Sequence, residues 1–336
     1  MKYQLKKTKP YELGLTVTLD KVDLDYYLNE ARKSLTNDLK IKGFRKGKAP
    51  PDLVKDKLDK KQVLETAFDL AFKQSFASIL FKENLELIDA GTFEIKENSP
   101  EKVIFSVLLT VFPELRLGNY KSIPVKQKDA SVSEEEIDKT VEFIRSSKKV
   151  SGTTPILNDD FAKSLGHFKG LKELKESVRE GLKEEKQVKE SQRVQAAILD
   201  KVAEDTKIEI PSILIERQLD QMMLDFDSDL HRSGMELGPF LSKIKKTKDG
   251  LRNEWKPKAR VLVKKALILK EIAKKESIKV ESEEIKERVN QFLGSFIDIG
   301  EAQKNIDLPK LSDQIRQVLL NQKVLAFLER EAVYIS

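Results

Sequence analysis

Apolar residues recur with a period of two in two runs of this chain, both before residue 112. Leu13, Leu15, Val17 and Leu19 are separated by Thr16 and Thr18, and Val103, Phe105, Val107, Leu109 and Val111 alternate in the same way. A period of two marks a half-buried strand. Beyond Val111 no alternating run occurs, and from Ser133 onward apolar residues recur at helical spacing. The chain should therefore fold as a small α+β N-terminal domain, two helices on a small antiparallel sheet, followed by an elongated all-α domain with long helices.

In the first domain, taken as residues 1–112, a helix follows the first strand, its apolar face formed by Leu24, Leu28, Ala31, Leu35 and Leu39. Gly43 should end it. A second helix, opening near Pro51 and Asp52, carries Leu64, Phe68, Phe72, Phe76 and Ile79 on one stripe. Strands at about Thr92–Lys96 and Lys102–Phe112 then complete a three-stranded sheet.

Residues 113–149 read as an extended linker and helix. The helix opens at Ser133, where Glu136 completes a capping box. Residues 150–336 form the helical domain. Its run from Leu171 to about Glu204 is amphipathic at both ends, but between Lys183 and Arg193 only Val188 is apolar, so this middle should be solvated. Further helices follow Pro211, with Ile215, Leu219, Met222, Phe226 and Leu230 as the stripe, and run through Trp255 to Leu269, where Pro257 should start or kink the helix. Others carry Ile285, Val289, Phe292 and Phe296, and then Leu311, Ile315, Val318 and Leu325.

Composition removes several chemistries. The chain has no cysteine and two histidines, so thiolate zinc sites, thiol nucleophiles and disulfides are out. His167 and His231 stand alone. The 62 basic and 56 acidic residues nearly cancel, which describes a surface of mixed charge rather than a nucleic-acid coat. No phosphate-cradling GxxxxGK[ST] motif occurs. No apolar run is long enough to span a bilayer, and the opening MKYQLKKTKP lacks the apolar core of a secretory signal. A cytoplasmic protein without cofactor, metal or membrane contact is expected.

One segment breaks the mixed-charge pattern. Lys40 to Pro50 (KIKGFRKGKAP) sets five cations around the single aromatic Phe44, with no acid inside it. Gly43 and Gly47 permit a tight loop, and Pro50-Pro51 stiffens its exit. A large apolar ring beside guanidinium and ammonium groups has the make-up of an interface anchor, and its charge suits an anionic body such as a ribosome.

Gly43-Phe44-Arg45-Lys46-Gly47-Lys48-Ala49-Pro50 resembles the ribosome-binding motif (GFRxGxxP) of bacterial trigger factor, the chaperone of the polypeptide exit tunnel. Leu157 to Gly166 followed by Leu171-Lys172-Glu173-Leu174, the Ile208-Glu209-Ile210-Pro211 that precedes a helix, and the stretch from Leu262 to Val280 are also similar to this family. The resemblance implies an ATP-independent, ribosome-associated chaperone that shields and helps fold nascent polypeptides. It implies that Gly43, Phe44, Arg45, Lys46, Gly47, Lys48 and Pro50 contact the large ribosomal subunit at the exit tunnel. It also allows a homodimer of the free protein. Met222, Met223, Phe226, Phe292 and Phe296 are candidates to hold unfolded clients; the alternative for each is ordinary helix packing.

The chain departs from the family in one place. Trigger factors usually carry an FKBP-like prolyl isomerase domain between the linker helix and the C-terminal domain, and here only Val150–Asn158 stands in that place. Nine residues cannot build such a domain, so the alternative reading, a peptidyl-prolyl isomerase, is disfavoured, and no enzymatic activity is expected.

Overall fold

The computed structural model describes residues 1–38, 58–148, 154–296 and 306–335. The fold is the expected one, a small antiparallel sheet with helices followed by a helical body, with ten helices among the described residues. Packing groups them into two units, Met1–Glu114 with Ile208–Val263, and Leu115–Lys207 with Lys264–Ser336.

In the first unit, strands β1 (Lys2–Lys9), β2 (Glu12–Asp20), β3 (Leu87–Asn98) and β4 (Lys102–Val111) form one antiparallel sheet in the order β1-β2-β4-β3. The sheet has four strands where three were expected. The overlooked strand, β1, alternates only through Tyr3 and Leu5, and Lys2, Lys6, Lys7 and Lys9 give it the charged character of an edge. Across the centre, Leu15 faces Val107, Val17 faces Phe105 and Leu19 faces Val103, so both alternating runs place their apolar residues on one face. Against that face pack helices α1 (Lys21–Asp38) and α2 (Lys60–Lys82).

Leu24, Leu28 and Ala31 of α1 are buried, as are Val63, Ala67, Phe68, Ala71 and Ile79 of α2. Phe105 is the centre of a ring cluster, with Phe72 at 5.2 Å, Phe68 at 5.9 Å and Phe93 at 6.0 Å between centroids. Among the described residues α2 starts at Lys60, where the Asp59 carboxylate accepts from the Lys61 amide at 2.9 Å. The expected start near Pro51 and the expected stop at Gly43 lie outside the described residues.

The remainder of this unit is built from helices α6 (Ser212–Arg232), α7 (Leu237–Lys243) and the first part of α8 (Lys248–Lys275). Pro257 lies inside α8 instead of starting it. Both Pro257 and Asn253, whose carbonyl loses its helical donor there, lie on the exposed face where water can replace the bond. Of the stripe that the spacing gives for this helix, Trp255, Ala259, Leu262, Ala266 and Leu269, the structure buries Ala259 and Leu269 and half-buries Trp255. Leu262 and Ala266 are exposed, and Val263 and Leu267 are buried in their place. Apolar residues surround this helix, so spacing alone does not select the covered face. Arg252 joins α8 to α6, donating to Glu216 at 2.7 Å and Asp220 at 2.5 Å.

The second unit is organised on the 35-residue helix α5 (Leu171–Asp205). Its first turns share a core with α3 (Glu134–Ser147) and α4 (Asp159–Leu165), made of Ile137, Val141, Phe161, Ala162 and Leu174. Its last turns share another with the end of α8 and with α10 (Leu308–Arg330), including Val194, Ile198, Val202, Ile268, Ile272, Val324 and Leu328. Helix α9 (Ser282–Leu293) packs on α10. Its N-cap is Glu281, and its buried residues are Ile285 and Leu293. Val318, expected on the buried stripe of α10, is half exposed. Strands β5 (Pro124–Lys126) and β6 (Val333–Ile335) pair in parallel.

The midsection of α5 is largely exposed, as its composition implies. It is not a bare rod, however, because the segment before α3 is fastened along it by polar contacts. Lys186 donates to the Ser131 carbonyl at 2.6 Å and to Glu136 at 2.8 Å, and the Lys128 amide donates to Glu190 at 2.7 Å. These contacts hold the Glu136 and Glu190 carboxyls down to about 2, from 4.5. Hydrogen bonding to Lys186 and to the Ser133 amide is the main cause for Glu136, and the Arg193 guanidinium and the Lys128 amide for Glu190. Depressed carboxyl values contribute stability above the unfolded value and lose it as pH falls through the folded one. Hydrogen-exchange protection at residues 127–133, taken relative to the intrinsic rate at each pH, should therefore fall between about pH 4.5 and pH 2, and unchanged protection across that interval would contradict the assignment.

Two local devices start the helices of this core. Ser133 accepts from the Glu136 amide at 3.3 Å, and Glu136 accepts from the Ser133 amide at 2.9 Å, the reciprocal box expected from the sequence. Ser133→Ala should cost about 1 kcal/mol, read by urea denaturation. Helix α5 has no cap of its own at Gly170; instead Asp159 of α4 accepts from the Leu171 amide at 2.7 Å. A Cβ at position 170 would sit 2.6 Å from that carboxylate oxygen, so Gly170→Ala should dislodge the borrowed cap and fray the first turn of α5.

Candidate functional site

Helices α1 and α2 pack against each other and against the sheet through one core, and the basic Lys40–Pro50 segment lies between them in the sequence. Gly43, Phe44, Arg45, Lys46, Gly47, Lys48 and Pro50 all lie outside the described residues. The two flanking helices are held by the buried contacts of Leu28, Ala31, Val63 and Ala67.

The five candidate client-holding residues fall into two environments. Met223 is buried with Leu241 and Leu251. Met222 is half-buried beside Ile215, Leu219 and Ala259. Phe226 is half-buried and meets both Phe240 and Trp255 edge-on at 5.4 Å. These three hold α6, α7 and α8 together. By contrast, Phe292 and Phe296 are exposed by 44% and 41% and stack edge-to-face at 5.4 Å. Two large rings exposed side by side form an available apolar surface.

Other exposed apolar side chains were not among the client-holding candidates. Leu224, Met235, Val261 and Leu262 lie on α6, α8 and the turn before α7, and Phe143 and Val318 lie in the second unit. Leu224 and Phe143 were legible as residues off the stripes of α6 and α3, whereas Leu262 and Val318 fall on stripes that the spacing marks as apolar faces. No group of three potential metal ligands exists among the described residues, and no described helix is long and apolar enough to cross a membrane. His231 is exposed, its Nδ1 2.8 Å from the Asp227 carbonyl.

Comparison with known proteins places this architecture. The family described as "Bacterial trigger factor protein (TF)" matches residues 1–144, and "Bacterial trigger factor protein (TF) C-terminus" matches residues 170–329. The chain belongs to the trigger factor family. Relatives include the trigger factors of Clostridioides difficile (strain 630), 24% identical with 94% of each chain covered, and of Alkaliphilus oremlandii (strain OhILAs), 22% identical with 96% of this chain and 95% of the relative covered. A solved structure described as "Promiscuous Substrate Recognition in Folding and Assembly Activities of the Trigger Factor Chaperone" superposes with a TM-score of 0.58 at 19% identity, covering 98% of this chain and 99% of the other. The likeness is one of fold.

Trigger factor matches on both sides leave only residues 145–169 between them, and the chain lacks the isomerase region. The alignment to the C. difficile trigger factor runs over 409 positions against 336 residues here, so the relative carries residues with no counterpart in this chain. As a member of this family the chain is a ribosome-associated molecular chaperone.

Proposed function

We propose that this trigger factor works without ATP and without isomerase chemistry, docking at the exit tunnel of the large ribosomal subunit and shielding emerging polypeptides. The observation that carries the reading is the pair of family matches spanning residues 1–144 and 170–329. Residues 1–112 act as the ribosome-binding domain, 113–149 as linker and helix, and 150–336 as the chaperone domain. Docking runs through Gly43, Phe44, Arg45, Lys46, Gly47, Lys48 and Pro50, with Arg45 paired to an acidic group on the ribosome.

Client holding relies on scattered apolar side chains, of which Phe292 and Phe296 are the most available of the five candidates. Weak, adaptable contacts suit a client that must leave as its own core forms. The protein acts in the cytoplasm, and its free form is open to dimerisation. Ribosome co-sedimentation of the wild type against the Phe44→Ala, Arg45→Ala, Lys46→Ala variant tests the docking. A proline-peptide isomerisation assay tests the enzymatic point: no acceleration over the uncatalysed rate is expected, and a substantial one would overturn it.

A further inference from the structure

The turn from α7 into α8 concentrates positive charge. Lys243, Lys245, Lys246 and Lys248 fill four of the six positions in residues 243–248 (KIKKTK), and all four are exposed. The backbone fixes this corner. The Lys245 amide donates to the Ser242 carbonyl at 3.1 Å, and the Lys246 amide to the Leu241 carbonyl at 3.0 Å. Lys245 itself stands in the left-handed region, with φ at +54°. Glycine usually takes that position after a helix, so the lysine sets a charge at the tip at some cost in backbone strain. Thr247 then opens α8, its Oγ1 accepting from the Gly250 amide at 3.0 Å. In β1, by contrast, Lys2, Lys7 and Lys9 pair with Asp20, Glu114 and Glu12. In the turn only Lys246 is paired, with Glu254 at 2.6 Å; Lys243, Lys245 and Lys248 have no partner among the described residues. The α6 carboxylates Glu216, Asp220 and Asp229 meet Arg252 and Arg232 instead, and Asp249 lies in the first turn of α8, at the positive end of its dipole.

We infer that this turn binds the phosphate backbone of duplex RNA without regard to base sequence. Lysine ammonium groups act on phosphates as mobile point charges, and three of them here have nothing else to hold. No exposed ring stands in the turn to stack on an unpaired base, since Phe240 is half-buried edge-on against Phe226. Contacts to phosphate alone carry no sequence information. A lipid surface fits less well. Membrane-surface helices bury a whole apolar face, whereas residues 242–249 expose one apolar side chain, Ile244, by 37%. That the duplex is ribosomal rests on the docking reading; affinity for a phosphate backbone does not. The turn thereby adds to the proposed docking segment a second, salt-sensitive hold, distant from it in sequence.

The test uses the full chain and a short labelled RNA duplex of mixed sequence, followed by anisotropy between about 50 and 200 mM salt. Wild-type affinity should fall steeply as salt rises. Lys243→Gln, Lys245→Gln and Lys248→Gln together should make the slope of log affinity against log salt shallower by about 3, and weaken binding about tenfold or more at the low-salt end. Lys245→Gly alone removes one charge while easing the left-handed backbone, so it should lower the slope by about 1 with an unchanged circular dichroism spectrum. Lys169→Gln, Lys172→Gln and Lys183→Gln, an equal loss of charge from exposed positions of the other unit, should leave the slope as it is. An unaltered slope in the turn variant, or an equal fall in the Lys169, Lys172 and Lys183 variant, overturns the inference. So does turn-dependent binding to phosphatidylglycerol vesicles without binding to the duplex. Ribosome pelleting of the Phe44→Ala, Arg45→Ala, Lys46→Ala variant reports on the docking reading separately: its failure leaves the slope difference on the isolated duplex standing.

Discussion

Ribosomes pelleted with the Phe44→Ala, Arg45→Ala, Lys46→Ala variant are expected to carry none of it above background, whereas the wild-type chain co-sediments. Truncating a central aromatic or arginine anchor typically costs about 2 kcal/mol or more. Two such losses lower affinity roughly a thousandfold. Removal of two cations from the Lys40–Pro50 run also weakens the long-range attraction to an RNA-rich body. The three side chains belong to a connection between α1 and α2, and the described core that holds those helices uses none of them, so the circular dichroism spectrum should be unchanged. Undiminished pelleting of the variant would remove the loop from the docking surface.

The second large effect is on stability. Phe105→Ala should destabilise the N-terminal sheet and its helices by about 3–5 kcal/mol. The ring is fully buried and lies within 6.0 Å of those of Phe68, Phe72 and Phe93, so it touches both α2 and β3 from the central strand β4. Its deletion leaves a hole bounded by three other rings, and these are held by their own helix and strand, which limits collapse. Against a typical domain stability of about 5–15 kcal/mol the loss is severe. Urea denaturation should show it as a lower midpoint; a shift of under about 1 kcal/mol would mean that the cluster repacks. The same substitution at Phe81, which is 91% exposed, should be nearly silent.

The elements legible in the sequence are those whose own residues carry the whole signal. The central strands β2 and β4 are buried on one face and alternate cleanly, and Ser133 with Glu136 forms its box from four consecutive residues. Edge strand β1 escaped because its lysines suppress the alternation. Helix α7 escaped because Gly238-Pro239 reads as a break; in fact Pro239 lies in the first turn, where no amide donor is needed. The covered face of a helix is harder still. Spacing tells which side chains share a face, and only the neighbouring element decides whether that face is hidden. Met223 is inside because Leu241 and Leu251 cover it, whereas Leu293, not Phe292, turns inward on α9. The candidate docking loop was the clearest motif in the chain, legible because eight consecutive residues state it.

Helix α5 serves two separate apolar clusters from one continuous backbone, with a wet, charged stretch between them. At 1.5 Å per residue its 35 residues make a strut of about 52 Å. Such a strut sets the spacing of whatever is mounted at its two ends, because sliding it by one turn would unseat both mountings together. Melting one mounting, in contrast, leaves the other intact. A worker wishing to lengthen or shorten the reach of this protein would therefore add or remove whole turns between Lys183 and Arg193, where the fewest apolar partners have to follow.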